Sequence, residues 1–295
     1  MHAALVTGRQ VVEYREFPEP EPAADGVVVD IAFCGICGTD IHAYQSGRPY
    51  RPSICGHEWA GTLSAVGPDV VGLHEGDRVV VGVPTACGRC APCRAGHAER
   101  CDRVFLAMLG READAPPHGG FAPRLAVGAG RVIPTDPGLT DAQAAQVEPA
   151  TVAFHAVRRS PLRLGDLAVV QGAGPIGLLT LQWVRADGAG RIIVIEPDEG
   201  RAALAHRLGA DIVVAPGQEA TTTVLEASNG VGADLVYECV GRNDTVQVAV
   251  DLARRGGAMS LIGLAEGEAP INPSSWLTKE ITVQGALAYT HEEFA

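Results

Sequence analysis

Leu167-Ala168-Val169-Val170-Gln171-Gly172-Ala173-Gly174-Pro175-Ile176-Gly177 is the stretch that decides the fold. Its first five residues read as an apolar strand. The last six form a G-x-G-x-x-G turn that opens a helix, with Pro175 suited to the first helical turn. Gly172 permits the tight turn, Gly174 lets a pyrophosphate approach the backbone, and Gly177 lets helix and strand pack closely. The helix that Pro175 and Ile176 open presents the free N–H groups of its N-terminus to phosphates, Pro175 itself having none. A glycine-rich turn without a ligand is the plainer alternative. Glu196 closes the next strand, 24 residues after Gly172. A carboxylate there accepts hydrogen bonds from a ribose diol and repels a 2′-phosphate, which selects NAD over NADP; otherwise it is a solvated strand-end charge. Arg201 either lies over an adenine or sits on a helix surface.

Outward from this turn, strands and helices alternate. Strands are expected at 167–171, 191–196, 211–214, 233–238, 258–262 and 281–285, and helices at 175–186, 199–208, 219–228 and 244–252. Six strands with intervening helices pack most naturally as a doubly wound parallel sheet. Before residue 150 the pattern changes to short β-rich runs, at 27–32, 61–66, 77–83 and 121–127, separated by turn clusters. That part reads as an all-β, barrel-like domain with long functional loops. The expected division is 1–150 (β-rich), 151–286 (dinucleotide-binding) and 287–295 (a segment leaving the second domain).

Composition agrees with two folded domains. The chain has 295 residues, 46% hydrophobic and 20% charged, which is too aliphatic for disorder. A net charge of −12 argues against nucleic acid, whose phosphates need a basic stripe. Among 23 basic residues only Lys279 is a lysine, which reads as genome composition. No run reaches the ~18 apolar residues of a spanning helix, and the N-terminus lacks signal-peptide features. The expected compartment is the cytoplasm, where eight cysteines are metal ligands or buried thiols rather than a disulfide framework.

Cys87, Cys90, Cys93 and Cys101 are spaced C-x2-C-x2-C-x7-C in a Gly/Pro/Arg loop. Four thiolates close a tetrahedron around Zn2+ and leave no open position, so this is a structural site. His97, inside the loop, is expected to be solvated. A second, dispersed set comprises Cys37-Gly38-Thr39-Asp40-Ile41-His42, Gly56-His57-Glu58 and Glu148-Pro149. One thiolate, one imidazole and a carboxylate leave a position open, the pattern of a catalytic zinc. Taken singly, His57 reads as a hydrogen-bonded interior residue and Glu148 as a helix start. Cys34 and Cys55 are expected to be structural, and Cys239 a buried small hydrophobe.

These motifs, in this order, resemble the zinc-dependent medium-chain dehydrogenases. The resemblance is greatest to the polyol, butanediol and threonine dehydrogenase branch, because Glu148 stands where classical alcohol dehydrogenases have a zinc-ligating cysteine. It covers essentially the whole chain. It implies a GroES-like catalytic domain joined to a Rossmann domain, one catalytic and one structural zinc, and NAD. It places Cys37, His57, Glu58 and Glu148 around the catalytic zinc, with Glu58 and Glu148 exchanging with water. It makes Thr39 the acceptor of the alcohol proton and His42 its relay; a capping turn residue and a half-exposed helix residue are the plainer readings. The implied substrate is a secondary alcohol, diol or polyol, and the implied assembly a homodimer or homotetramer, with 281–285 as a pairing edge. Tyr44, Trp59 and Leu109 are candidate pocket walls, Trp59 equally a core residue. Relatives return to the catalytic domain after the last Rossmann strand for several dozen residues more, so a truncated chain is expected. Two rivals stand beside this reading. One is a zinc-free quinone or enoyl reductase, against which Cys37, His57 and the four-cysteine loop speak; the other is a truncated NAD(H)- and zinc-binding subunit or redox-responsive binding protein without its own catalysis.

Overall fold

The structure is a computed structural model that describes residues 1–48, 50–113 and 115–295. It comprises two compact units, Met1–Glu148 with Tyr289–Ala295, and Pro149–Ala288.

The first unit is built on strands. β1 (His2–Gly8) and β2 (Val11–Glu16) form an antiparallel hairpin. β3 (Gly26–Gly35), β4 (Glu58–Val66), β5 (Arg78–Val81), β6 (Arg124–Gly128) and β7 (Val132–Pro134) form an antiparallel sheet in the order β6-β3-β4-β5-β7. Every residue of β2 is exposed. It therefore lacks the period-two alternation that marks a half-buried strand, and sequence reading passes over it. The core of the sheet is Val27, Val29, Trp59, Leu63, Val79, Val81, Leu125, Val127 and Val132. Trp59 is thus a core residue. In the β3–β4 ladder Gly35 pairs with Glu58 and Cys34 with Trp59, so the strand ends carry the loops of the second ligand set. The helix Gly38–Ser46 follows β3 directly.

The second unit contains β8 (Leu167–Gln171), β9 (Arg191–Ile195), β10 (Ile212–Val214), β11 (Ala233–Glu238), β12 (Ala253–Leu261) and β13 (Thr282–Gly285). All pair in parallel, in the order β10-β9-β8-β11-β12-β13. Val169, Ile193, Val236 and Met259 enter one apolar cluster, while Ala168, Val170, Ile192, Val194, Leu235, Tyr237 and Ala258 enter another. Alternate residues of one strand thus go to opposite, equally buried faces, which is why these strands read as continuous apolar runs. The chain runs outward from β8 to β10, then resumes at β11 on the other side of β8. This switch point, at the carboxyl ends of β8 and β11, is where doubly wound sheets bind ligands. β12 begins earlier than its apolar run, because Arg254-Arg255-Gly256-Gly257 carries no strand pattern yet continues from a bridge between Ala233 and Ala253. Lys279 has a structural task. Its Nζ donates to the carbonyls of Val250, Asp251 and Ala253 at 2.9, 2.7 and 2.7 Å, closing the helix Asn243–Leu252 with an ammonium's three donors.

No helix among the described residues is long and apolar enough to cross a membrane.

Candidate active site

The first ligand cluster lies around the helix Ala91–Arg94. The sulfurs of Cys87, Cys90, Cys93 and Cys101 lie within 4.8 Å of one another, and none is in a disulfide. The backbone N–H of Cys87 donates to Cys101 Sγ at 3.3 Å. Backbone N–H groups of Arg89 and Cys90 pull the Cys87 thiol down to about 6, while its hydrogen bond to Cys90 pushes the Cys93 thiol up to about 12. One thiolate is therefore already favoured in a group that shares its protons. Four convergent sulfurs with amide support fit a closed zinc site. His97 is exposed and faces Glu99 at 3.2 Å.

The second cluster joins three segments. Cys37 Sγ, a ring nitrogen of His57 and a carboxylate oxygen of Glu58 lie within 4.8 Å of one another. His57 Nδ1 donates to the carbonyl of Ile54 at 2.9 Å. A carbonyl only accepts, so Nδ1 carries a hydrogen and Nε2 is the ring nitrogen left for Cys37 or a metal. Burial pushes the His57 pKa down, but the Cys37 hydrogen bond and the charges of Cys37 and Glu148 outweigh it and raise it to about 10. Burial also raises Glu58. The Glu58 side chain crosses Gly35 so closely that a Cβ there would lie 2.3 Å from its Oε2. Glu148, in the first turn of the helix Val147–Arg159, lies outside the 4.8 Å group. It interacts with His57 and Glu58, and its carboxyl is raised to about 7, chiefly by burial. A thiol, an imidazole with its second nitrogen anchored, and nearby carboxylates fit zinc.

Sequence reading missed the residues that hold this cluster together. The buried carboxylate of Asp40 accepts from the Cys37 N–H at 2.9 Å, from the Gly56 N–H at 3.2 Å, and from the Tyr50 hydroxyl. Tyr50 also reaches the Ile54 carbonyl at 3.1 Å, the acceptor for His57. One carboxylate thus ties the Cys37 segment to the His57 segment. The signal for Asp40 was its place three residues after the N-cap Cys37, where an acidic side chain turns back to the cap N–H; Tyr50 gave none. Gly56 adopts φ +71°, and a Cβ there would meet the Phe121 ring at 2.6 Å. The Thr39 hydroxyl lies 3.6 Å from Cys37 Sγ. His42 is one turn further along the same helix, and among the described residues its buried Nδ1 has no hydrogen-bond partner. Tyr44 is exposed and Leu109 half-buried. Cys34 and Cys55 are pushed up to about 12 and about 11, mainly by burial, and so stay thiols.

In the second unit, Gly172 has φ +89°, and a Cβ on Gly177 would lie 2.0 Å from the Gly172 carbonyl oxygen. A Cβ on Gly174 would meet nothing within 4 Å. Space therefore stands open over Gly174, at the start of the helix Pro175–Ala186, whose N-terminus no side chain caps. That is a cradle of the shape a pyrophosphate requires. Glu196 is buried. It accepts from the Ala173 N–H at 2.7 Å and from the Asp198 N–H at 2.9 Å, and pairs with Arg201 at 2.8 Å. Arg201 therefore partners Glu196, and Glu196 braces the glycine turn with one Oε2 lone pair unused among the described residues. Glu238, buried at the end of β11, accepts from Val240, Gly241 and Thr245. It shapes the loop after Cys239, whose thiol burial pushes up to about 12.

Residues 23–137 match the family model of the alcohol dehydrogenase GroES-like domain, and residues 175–295 that of the zinc-binding dehydrogenases. The sorbitol dehydrogenase of Bacillus subtilis (strain 168) is 32% identical over 299 residues, covering 99% of this chain and 83% of that one. The chain belongs to the zinc-binding alcohol dehydrogenase family. Two solved structures extend the likeness of this dehydrogenase. The 2R,3R-butanediol dehydrogenase of Bacillus subtilis superposes with a TM-score of 0.82 at 29% identity, covering 98% of this chain and 84% of that one. A zinc-binding dehydrogenase of Sinorhizobium meliloti 1021 bound to NADP gives 0.85 at 28% identity, covering 99% and 86%. The dehydrogenase is thus a GroES-like domain followed by a Rossmann-type sheet, the α/β architecture expected from its motifs.

Proposed function

We propose that this chain is a zinc-dependent dehydrogenase that moves a hydride between NAD and a secondary alcohol, diol or polyol. The observation that carries the reading is the convergence of Cys37, His57 and Glu58, with His57 Nδ1 committed to the Ile54 carbonyl. Cys37, His57, Glu58 and Glu148 would hold the catalytic zinc, and Cys87, Cys90, Cys93 and Cys101 the structural one. Zinc bound at the first set supplies a Lewis acid that makes a hydroxyl easier to deprotonate. NAD supplies the hydride acceptor. Thr39, beside Cys37, takes up the hydroxyl proton through Oγ1, and His42 receives it next. Its Nδ1, buried and without a hydrogen-bond partner among the described residues, is an available acceptor. Gly172, Gly174, Pro175, Ile176 and Gly177 cradle the pyrophosphate. The free Oε2 lone pair of Glu196 serves the ribose diol, and its charge disfavours a 2′-phosphate. Arg201 orients Glu196 from the neighbouring helix.

The substrate class follows the relatives, among them a sorbitol and a butanediol dehydrogenase. In this reading 1–150 is the catalytic domain, 151–286 the dinucleotide domain, and 287–295 a return segment. The cytoplasm suits eight unpaired cysteines. A homodimer or homotetramer would form through the outermost strand β13, where Val283 is exposed.

The test is NADH formation from a panel of vicinal diols and polyols, run with NAD and with NADP, for the wild type and Cys37→Ser. Oxidation of at least one of them with NAD preferred, reduced at least 1,000-fold (about 4 kcal/mol) by Cys37→Ser, is expected. Equal rates in the two proteins would refute the ligand assignment.

A further inference from the structure

The loops that follow β11 and β12 meet around one buried carboxyl group. Glu238, the last residue of β11, is fully buried. Its Oε1 accepts from the Val240 N–H at 2.9 Å, from the Gly241 N–H at 3.1 Å and from the Thr245 hydroxyl at 2.8 Å. Its backbone carbonyl accepts from the N–H groups of Ile262 and Gly263, at 3.0 and 2.8 Å. One residue therefore holds the loop after β11, the first turn of the helix Asn243–Leu252 and the loop after β12. These donors are all neutral, so the carboxyl organises backbone rather than balancing a charge.

The two loops touch closely. A Cβ on Gly263 would lie 2.2 Å from the Gly241 nitrogen and 2.5 Å from Glu238 Oε2. Gly241 has φ +72°, and a Cβ there would lie 2.9 Å from the Leu264 nitrogen. Beside this backbone contact two apolar side chains are left uncovered, Val240 at 40% and Leu264 at 59% exposure. Val240 also borders the glycine turn, since a Cβ on Gly172 would lie 3.0 Å from its Cγ2. A dinucleotide with its pyrophosphate over Gly174 and one ribose at Glu196 lays its other half across the switch point, on the β11 side. Val240 and Leu264 offer apolar surface to a flat ring there.

We propose that Glu238 is a positioning residue for the nicotinamide half of the cofactor. It fixes Val240 and Gly241 against Gly263 and Leu264, so that this surface is formed before the dinucleotide arrives. Such preorganisation adds affinity for the part of the ligand that touches it. This inference rests on the NAD reading above.

The experiment compares NADH with ADP-ribose, the same molecule without its nicotinamide ring. Calorimetric titration of the purified full chain gives both affinities for the wild type, Glu238→Ala, Glu238→Gln and Thr245→Val, and the unfolding temperature checks each fold. Glu238→Ala should weaken NADH at least about tenfold, because three donors lose their acceptor. ADP-ribose should change less than about threefold, since Glu196 braces the glycine turn separately. Glu238→Gln keeps the Oε1 acceptor and should hold NADH within about threefold of wild type. Thr245→Val removes one donor and should weaken NADH alone, by about two- to fivefold; it decides the question where Glu238→Ala does not fold. Equal weakening of NADH and ADP-ribose overturns the proposal, because it marks general damage to the domain. So does NADH affinity unchanged in Glu238→Ala and Thr245→Val, or a loss in Glu238→Gln equal to that in Glu238→Ala, which would assign the effect to the charge. A wild type that binds neither ligand would instead overturn the NAD reading.

Discussion

Three donors converge on the buried carboxylate of Asp40, from Cys37, Gly56 and Tyr50. Asp40→Ala leaves the Cys37 and Gly56 N–H groups without that acceptor, at about 1–3 kcal/mol for each such group, while Tyr50 keeps the Ile54 carbonyl. It should therefore lower the unfolding free energy by roughly 2 kcal/mol or more and weaken zinc at the Cys37 centre about 10- to 100-fold. Denaturant unfolding and chelator competition measure the two effects. Glu148 makes a prediction in pH. Burial raises its carboxyl from an ordinary 4.5 to about 7 in the folded chain. Between those values the folded state keeps a proton that the unfolded state has lost, so the metal-free protein loses stability as pH rises, by about 3 kcal/mol across the window. Glu148→Gln removes the titrating group, and the difference between variant and wild type should grow from pH 5 to pH 7.5 in urea unfolding. A constant difference would contradict the assignment.

At the scale of elements, the turn after β8 separates two kinds of glycine. A methyl group on Gly177 would press into the Gly172 carbonyl, whereas one on Gly174 has open space and an ordinary φ of −69°. Gly177→Ala should therefore destabilise the fold by about 1–3 kcal/mol, as overpacking does. Gly174→Ala should leave stability within about 0.5 kcal/mol yet weaken NADH binding at least tenfold, because its methyl occupies the pyrophosphate's place. Thermal unfolding and NADH fluorescence titration distinguish them. The same turn shows what was legible in sequence. The bounds Leu167–Gln171, Pro175–Ala186 and Ala233–Glu238 are those the sequence predicts, the two strands because burial on both faces leaves an uninterrupted apolar signal and the helix because the glycine turn and Pro175 mark its start. β2 was illegible because it buries nothing, and the start of β12 because pairing there is by backbone alone. In the site, sequence spacing could propose ligands because zinc demands particular atoms. It could not reveal Tyr50, whose role depends on what other segments bring beside it.

At the scale of the whole molecule, the first unit holds both ligand clusters and the second the dinucleotide turn. The central claim is that the chain assembles two chemically different zinc sites, one closed by four sulfurs and one mixed. The clusters share no residue, so they should be lost independently. The most direct measurement is zinc per chain on protein purified without chelator, for the wild type, Cys37→Ser and Cys93→Ser, with folding checked by circular dichroism. The account predicts two zincs in the wild type, and one in Cys37→Ser with NADH formation abolished. Cys93→Ser should keep the Cys37-centre zinc while losing the other and some stability. One zinc in both the wild type and Cys37→Ser would contradict it.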